Sequence, residues 1–473
     1  MGVTATVPIY LELRLTKING RLAGRLPEEG AMAKVSRNPQ ERRIPSPRAP
    51  RRERAAQVAP DRRLAEDRGG AWSAHAGGGM MVSCGLVGDC DRRRDLDHVT
   101  QLDRGGRSVG LLALILLLCI ALTAGAVPSW GVGYRKIDVQ DPLTGESFPV
   151  ALWYPTAAAP APLFVTGSRS LSLCRLPAIL CRWIAFEMPV AHDAAPAAGD
   201  FGLIVVSHGA GGFALLHRDL AMVLASQGYA VAAPTHPRGK DNDISGVSVW
   251  IGRPKQVSRV IDAVLEDGQL GSHIEHERVG MVGHSNGGYT ALAVAGAKPS
   301  TSAIAAHCRE HPDDARFCAF GGASTREATR EVGDIPDLRD RRVRSLVLMA
   351  PNAARFTDDA LAKVGVPVRV YAAENDDLTR VRYHAERLAR VLPRAECVIV
   401  KGAGHFSFVA SFPPVLKIVA GEGARDPEGF DRDAFHEVMN REIVEFFNRT
   451  LRPAGNTPIR GAQPSSCRSR ESR

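Results

Sequence analysis

The amino-acid sequence predicts an α/β fold, with a mostly parallel central sheet covered by helices on both faces. Three observations lead there. From about residue 200 onward, short β-branched apolar runs alternate with helical stretches. Strands that read as continuous apolar runs are buried on both sides, and such strands alternate with amphipathic helices when the connections are crossovers. Glycine-rich turns also directly follow several of these runs, at the strand ends where an open sheet places its site. Finally, the 473 residues are 44% hydrophobic, enough for a large core. No repeat of 20–50 residues is visible, which argues against a solenoid or propeller.

The elements follow in order. Residues 136–139 and 150–153 read as an antiparallel pair joined by the turn 141–145, Asp-Pro-Leu-Thr-Gly. The run 202–206 precedes a helix over 214–227, and 230–233 precedes one over 254–267. The run 278–282 leads into a helix over 287–297. A polar insertion, about 299–341, follows and is expected to cap the site. Then come 345–349, 366–371 with a helix over 380–391, and 396–400 with a helix over 432–450.

The ends differ from this core. The net charge is +9, but residues 1–108 carry +7 and 452–473 carry +4, leaving −2 for the remainder. A protein built to grip nucleic acid spreads positive charge over its folded face, so no nucleic-acid partner is expected. Residues 1–105 are Arg-rich, without apolar period and broken by Pro45, Pro47 and Pro50; they read as a disordered extension or as sequence upstream of the true start. Met80 and Met81 are internal start candidates. Residues 106–126 combine Arg107, an apolar run from Val109 to Leu122, and the small-residue site Ala124-Gly125-Ala126. That is a secretory signal peptide, with an uncleaved anchor over 109–127 as the alternative. The globular domain is then 127–451, and 452–473 reads as a disordered basic tail.

Export changes how cysteines are read. Cys308 and Cys318 sit in the polar insertion and are disulfide candidates; Cys174 and Cys181 are a second pair. Cys397 opens an apolar run and reads as a buried filler, and Cys467 lies in the tail. A zinc set of Cys308 with His307 and His311 lacks a second ligand pair at metal-site spacing. The stretch Asp241 to Gly246 begins like a calcium loop, but Gly252 stands where the bidentate Glu belongs. No metal is expected.

The strongest chemical signal is Gly283-His284-Ser285-Asn286-Gly287-Gly288, placed between an apolar strand and a helix. A G-x-S-x-G turn is too tight for side chains at its glycines, and it lifts the serine hydroxyl above the sheet. A serine nucleophile needs a base and a group that orients the base. His405, in Lys401-Gly-Ala-Gly-His405-Phe406, and Asp376, in Glu374-Asn-Asp-Asp377, both follow strand runs and supply them. Asp377 is the alternative acid and Glu374 a third. The backbone N–H groups of Ala210, in Ser207-His-Gly-Ala-Gly211, and of Asn286 are the candidate oxyanion donors. His208 reads as a structural loop residue. Phe317 and Phe320 either line an acyl pocket or pack the cap.

These motifs, with Val150-Ala-Leu-Trp-Tyr-Pro155, make residues 131–450 resemble the α/β-hydrolase superfamily. Within it they are similar to the predicted dienelactone-hydrolase and platelet-activating-factor acetylhydrolase-like branch. Dienelactone hydrolases carry a cysteine nucleophile, where position 285 is serine. The resemblance implies hydrolysis of small-molecule or lipid carboxylic esters without metal or cofactor. The alternatives are a hydrolase of thioesters, polyesters or amides, which the same triad can cleave, and a non-catalytic scaffold of the same fold, which would be marked by a lost triad member. Membrane contact is expected only through an uncleaved 109–127. The secretion reading has a direct check: mass spectrometry of secreted protein should find Val127 at the N-terminus, whereas an intact 109–126 segment would identify an anchor.

Overall fold

The computed structural model describes residues 129–167, 171–237, 246–319, 333–451 and 466–471. The extension 1–105, the signal segment 106–126, residues 241–245, Phe320 and 452–465 lie outside the described residues. Among the described residues no helix is long and apolar enough to cross a membrane.

The strands are β1 (Gly131–Gln140), β2 (Ser147–Thr156), β3 (Ala161–Thr166), β4 (Ser172–Leu173), β5 (Phe186–His192), β6 (Phe201–Ser207), β7 (Tyr229–Pro234), β8 (Ile274–His284), β9 (Val343–Met349), β10 (Val368–Ala373), β11 (Ala395–Val400) and β12 (Arg468–Arg470). They form one sheet in the order β12-β11-β10-β9-β8-β6-β7-β2-β1-β5-β3-β4. The seven strands from β12 to β7 are parallel, and β2 and β1 continue the sheet as an antiparallel pair. The expected hairpin is present: Gln140 pairs with Ser147, and Asp141 accepts the N–H groups of Leu143 and Thr144 on one carboxylate oxygen. That local bond is what turns the chain.

The main helices are α1 (Ala178–Ile184), α2 (Arg218–Ser226), α3 (Arg253–Leu265), α4 (Asn286–Val294), α5 (Thr301–Glu310), α6 (Ala385–Val391), α7 (Pro414–Val419) and α8 (Arg432–Leu451). Alternate residues of each strand feed two cores. Leu203 and Val205 of β6 pack in one with Val257 of α3, Leu292 of α4 and Leu388 of α6. Ile204 and Val206 pack in the other with Leu220 of α2 and Phe447 of α8. Each fully buried apolar side chain contributes about 1.5–3 kcal/mol, so the double-sided sheet is the main source of stability.

The chain runs from β6 to β7 on one side, then returns to β8 on the other. Neighbouring strands whose connections leave in opposite directions open a crevice at their C-terminal ends. Ser207 and His284 end these two strands.

The sequence reading is corrected in three places. The described residues between 161 and 192 form β3, β4, α1 and β5, where no elements were expected. The helix expected over 380–391 begins only at Ala385, because Asp376 accepts the N–H groups of Leu378 and Thr379 and holds the preceding segment as a turn. Cys397 is not a free apolar filler: it is bonded to Cys467, and Arg468–Arg470 of the supposed disordered tail pairs in parallel with Val398–Val400. The other disulfides, Cys174–Cys181 and Cys308–Cys318, join the expected partners.

Closing a loop of 70 residues in sequence removes more unfolded-state entropy than either short link, roughly 4 kcal/mol. Cys467→Ser should therefore lower the melting temperature by several degrees and expose residues 466–471 to protease. Non-reducing peptide maps that lack the Cys397–Cys467 peptide would refute the assignment.

Candidate active site

Ser285 stands between β8 and α4 with φ +54° and ψ −114°, a conformation that costs a non-glycine residue about 1–3 kcal/mol. The surrounding backbone enforces it. A Cβ on Gly287 would lie 1.9 Å from the Ser207 carbonyl oxygen, and one on Gly283 would lie 2.3 Å from the Gly287 oxygen. Only glycine lets α4 start this close to β6. Around the turn, the Ser285 N–H donates to Met349 O (3.0 Å), while its carbonyl accepts from Gly288 N and Asn352 N. Asn352 also donates from its side chain to Asn286 Oδ1 at 3.1 Å, fixing the first residue of α4.

His405 and Asp376 are buried and directly paired. His405 Nδ1–H donates to Asp376 Oδ2 at 2.8 Å, which leaves Nε2 as the basic nitrogen. Burial pushes the Asp376 carboxyl up. The His405 ring and hydrogen bonds from His405 and Thr379 outweigh it and hold the carboxyl well below the usual range. Thr379 contributes both its N–H (2.8 Å to Oδ1) and its hydroxyl (2.8 Å to Oδ2). Asp377 points elsewhere, to Arg316 at 2.7 Å, and Glu374 accepts the Gly402 N–H. Of the three acids weighed, Asp376 is the one on the imidazole.

The serine turn and the histidine loop are joined by His284, whose Nε2–H donates to the His405 carbonyl at 3.0 Å. The described hydrogen bonds do not include one from Ser285 Oγ to His405.

The loop after β6 runs against the serine, since a Cβ on Gly209 would lie 3.2 Å from Ser285 Cβ. Its orientation is fixed from behind. Arg253 donates to the carbonyls of His208 (2.8 Å) and Gly209 (3.3 Å). His208 accepts the His236 N–H on Nε2 and donates from Nδ1 to Gly209 O, so both ring nitrogens are engaged in holding the loop. His236 in turn donates from Nδ1 to Gln256 Oε1 (2.7 Å) and accepts Ser207 Oγ–H on Nε2 (2.9 Å); Gln256 donates to Asp141 (2.5 Å). With its carbonyls held behind it, the loop is fixed where Gly209 meets the serine, while Asn286 supplies the first amide of α4.

Thr379, Arg253, His236, Gln256 and Asn352 were missed by sequence reasoning. Thr379 alone had a local signal, since a hydroxyl three residues after an Asp fits a turn around its carboxylate. The others reach the site only through tertiary packing.

The insertion holds a second polar group. His307 donates to Asp314 Oδ2 at 2.9 Å, and His384 approaches the same oxygen at 3.3 Å. Ligand atoms of these three residues lie within 4.8 Å of one another, close enough to surround a metal ion. The Ala353 N–H points at His384 Nδ1 (3.1 Å), which puts the ring proton on Nε2, facing Asp314. That proton occupies the direction a metal would need, so the set works as a hydrogen-bonded staple. The earlier zinc set fails as well, since Cys308 is in a disulfide. Phe317 is buried against His307 and His384, inside the insertion's own packing.

His208, His217, His236, His284 and His384 are all held below the ordinary histidine range, burial being the largest cause for each. They stay neutral in the folded chain and are free to protonate in the unfolded one. Their contribution to stability is thus complete above about pH 6.5 and is lost as the pH falls below it. The melting temperature should be level above pH 7 and decline from about pH 6.5 downward, before most carboxylates titrate; a flat profile between pH 7 and 5 would contradict this.

No curated protein matches the chain in sequence. A ferulic acid esterase from Streptomyces cinnamoneus is similar in structure, with 22% identity and a TM-score of 0.46 over 71% of this chain and 95% of that one. The family described as "Alpha/beta hydrolase family" matches residues 203–416, the stretch from β6 to α7 that holds every residue of the site above except Asp141. The protein has the α/β-hydrolase fold.

Proposed function

We propose that the protein is a serine esterase with Ser285 as nucleophile, His405 as general base and acid, and Asp376 as the group that orients His405. One observation carries this reading: a serine held at φ +54° on a strand–helix turn that is hydrogen-bonded, through the residue before it, to the loop of a buried His–Asp pair. Strain of this kind persists where the fold over-determines it, and it clusters at reactive groups.

In the proposed reaction His405 Nε2 takes the Ser285 hydroxyl proton as Oγ attacks the ester carbonyl. The oxyanion is met by the N–H groups of Ala210 and Asn286. Asp376 stabilises the imidazolium without taking its proton, and the imidazolium returns the proton to the leaving alcohol. Water, deprotonated by His405, then hydrolyses the acyl-enzyme and frees Ser285. The resemblance in the turn motifs favours short to medium acyl esters, with phospholipid acetyl esters and lactones as further substrates. The three disulfides among the described residues fit an oxidising compartment, which favours export.

The test is a rate series on p-nitrophenyl esters from acetate to dodecanoate. Ser285→Ala should fall to the buffer rate. Asp376→Asn should lose activity by about 10⁴-fold, because the wrong imidazole tautomer is favoured. Asp377→Asn, which breaks a surface ion pair, should change the rate by no more than roughly twofold. Turnover that survives in Ser285→Ala, from folded protein, would refute the assignment.

A further inference from the structure

Large apolar side chains that remain exposed are concentrated in one place. Among the described residues, seven of the eight belong to two short segments, Leu143 being the exception. Leu173, Leu176, Ile179, Leu180 and Trp183 come from the chain around α1, with Ile179 at 68% and Trp183 at 55% exposure. Val415 and Ile418 come from α7, with Ile418 at 78%. The two helices are in contact, so the residues make one face.

The local structure holds this face outward. In α1 the fully buried side chain is Cys181, bonded to Cys174, while the larger apolar side chains beside it point to solvent. A helix free to choose would turn its apolar side to the core. Here the disulfide takes the inward position. Arg175, Arg182 and Lys417 are exposed among these apolar residues, and Arg182 pairs at the surface with Glu187. Apolar side chains that include a tryptophan, interspersed with basic ones, match the boundary between acyl chains and anionic headgroups.

The face also adjoins the candidate site. Phe186, which opens β5 just after α1, packs between Phe213 and Phe412 at ring distances of 5.4 and 5.9 Å. Phe213 follows the glycine loop that carries Ala210, and Phe412 links the His405 turn to α7.

We infer that the face of α1 and α7 is a docking surface for an anionic lipid bilayer. It would seat the protein with the Ser285 crevice beside the interface. The inference concerns binding and is tested by binding, so its failure is separable from failure of the esterase reading.

The experiment is flotation of the full chain with vesicles of phosphatidylcholine and phosphatidylglycerol. The comparison is Ile179→Glu/Ile418→Glu, with its melting temperature as the folding control. Wild type should float, less so as salt is raised, and the double variant should float at roughly a tenth of that level or below. Arg175→Glu/Lys417→Glu, which leaves the apolar residues in place, should weaken binding to anionic vesicles and spare the weaker binding to pure phosphatidylcholine. Failure of wild type to float would overturn the proposal. So would equal flotation of both apolar forms, which would place binding elsewhere, for instance in 109–127. A wild-type dimer in sedimentation that the double variant loses, with neither form floating, would assign the face to a second copy and overturn it as well.

Discussion

The closest approach in the site is between the start of α4 and the end of β6, where Gly287 meets the Ser207 carbonyl. A side chain at Gly287 would collide there with backbone, which cannot swing aside as a side-chain tip can. Much follows from this contact. It sets how near α4 lies to the sheet and keeps Ser285 at positive φ. It also brings the loop after β6 against the serine. The strain at Ser285 is carried by the same packing that stabilises the fold, through the bonds of its N–H and carbonyl to Met349, Gly288 and Asn352.

The polar residues behind the site do a different job. From Asp141 through Gln256, His236 and Ser207, and from Arg253 to the carbonyls of His208 and Gly209, buried hydrogen bonds fix the backbone of the glycine loop. Each link uses up a group whose burial without a partner would cost about 1–3 kcal/mol. A loop rich in glycine has the freedom to approach a substrate but no stiffness of its own. The network supplies the stiffness, and the first hairpin of the sheet is thereby coupled to the loop beside Ser285.

The parts of this molecule that were legible in advance are those encoded locally. Apolar runs such as 202–206 and 278–282 mark buried parallel strands because both faces of each run must be covered. The G-x-S-x-G turn was legible because its glycines are needed within five residues of one another. The pairing of Asp376 rather than Asp377 with His405 was not, because neighbouring residues in a loop share composition and differ only in direction. The region 161–192 was illegible for another reason. Its strands are short, prolines 160, 162, 177 and 189 interrupt the pattern, and a disulfide does work that periodicity normally reports. Cys397 misled because a half-cystine at the head of an apolar run reads like any other small apolar residue, and its partner lies 70 residues away.

The strand Arg468–Arg470 has a further consequence. A parallel sheet ending at β11 would present a row of unpaired N–H and carbonyl groups, a template onto which another chain can add. Here the last hydrogen-bonding row belongs to a three-residue strand of Arg-Ser-Arg, tethered by Cys467 and too short and too charged to recruit a further strand. At the opposite end the sheet stops in the two residues of β4. Among the described residues each margin thus ends in a fragment that covers part of the strand inside it, Val398–Val400 of β11 and Val165–Thr166 of β3. Trimming the chain after α8 would take away one of these guards and leave the whole of β11 as an open edge, a template for self-association.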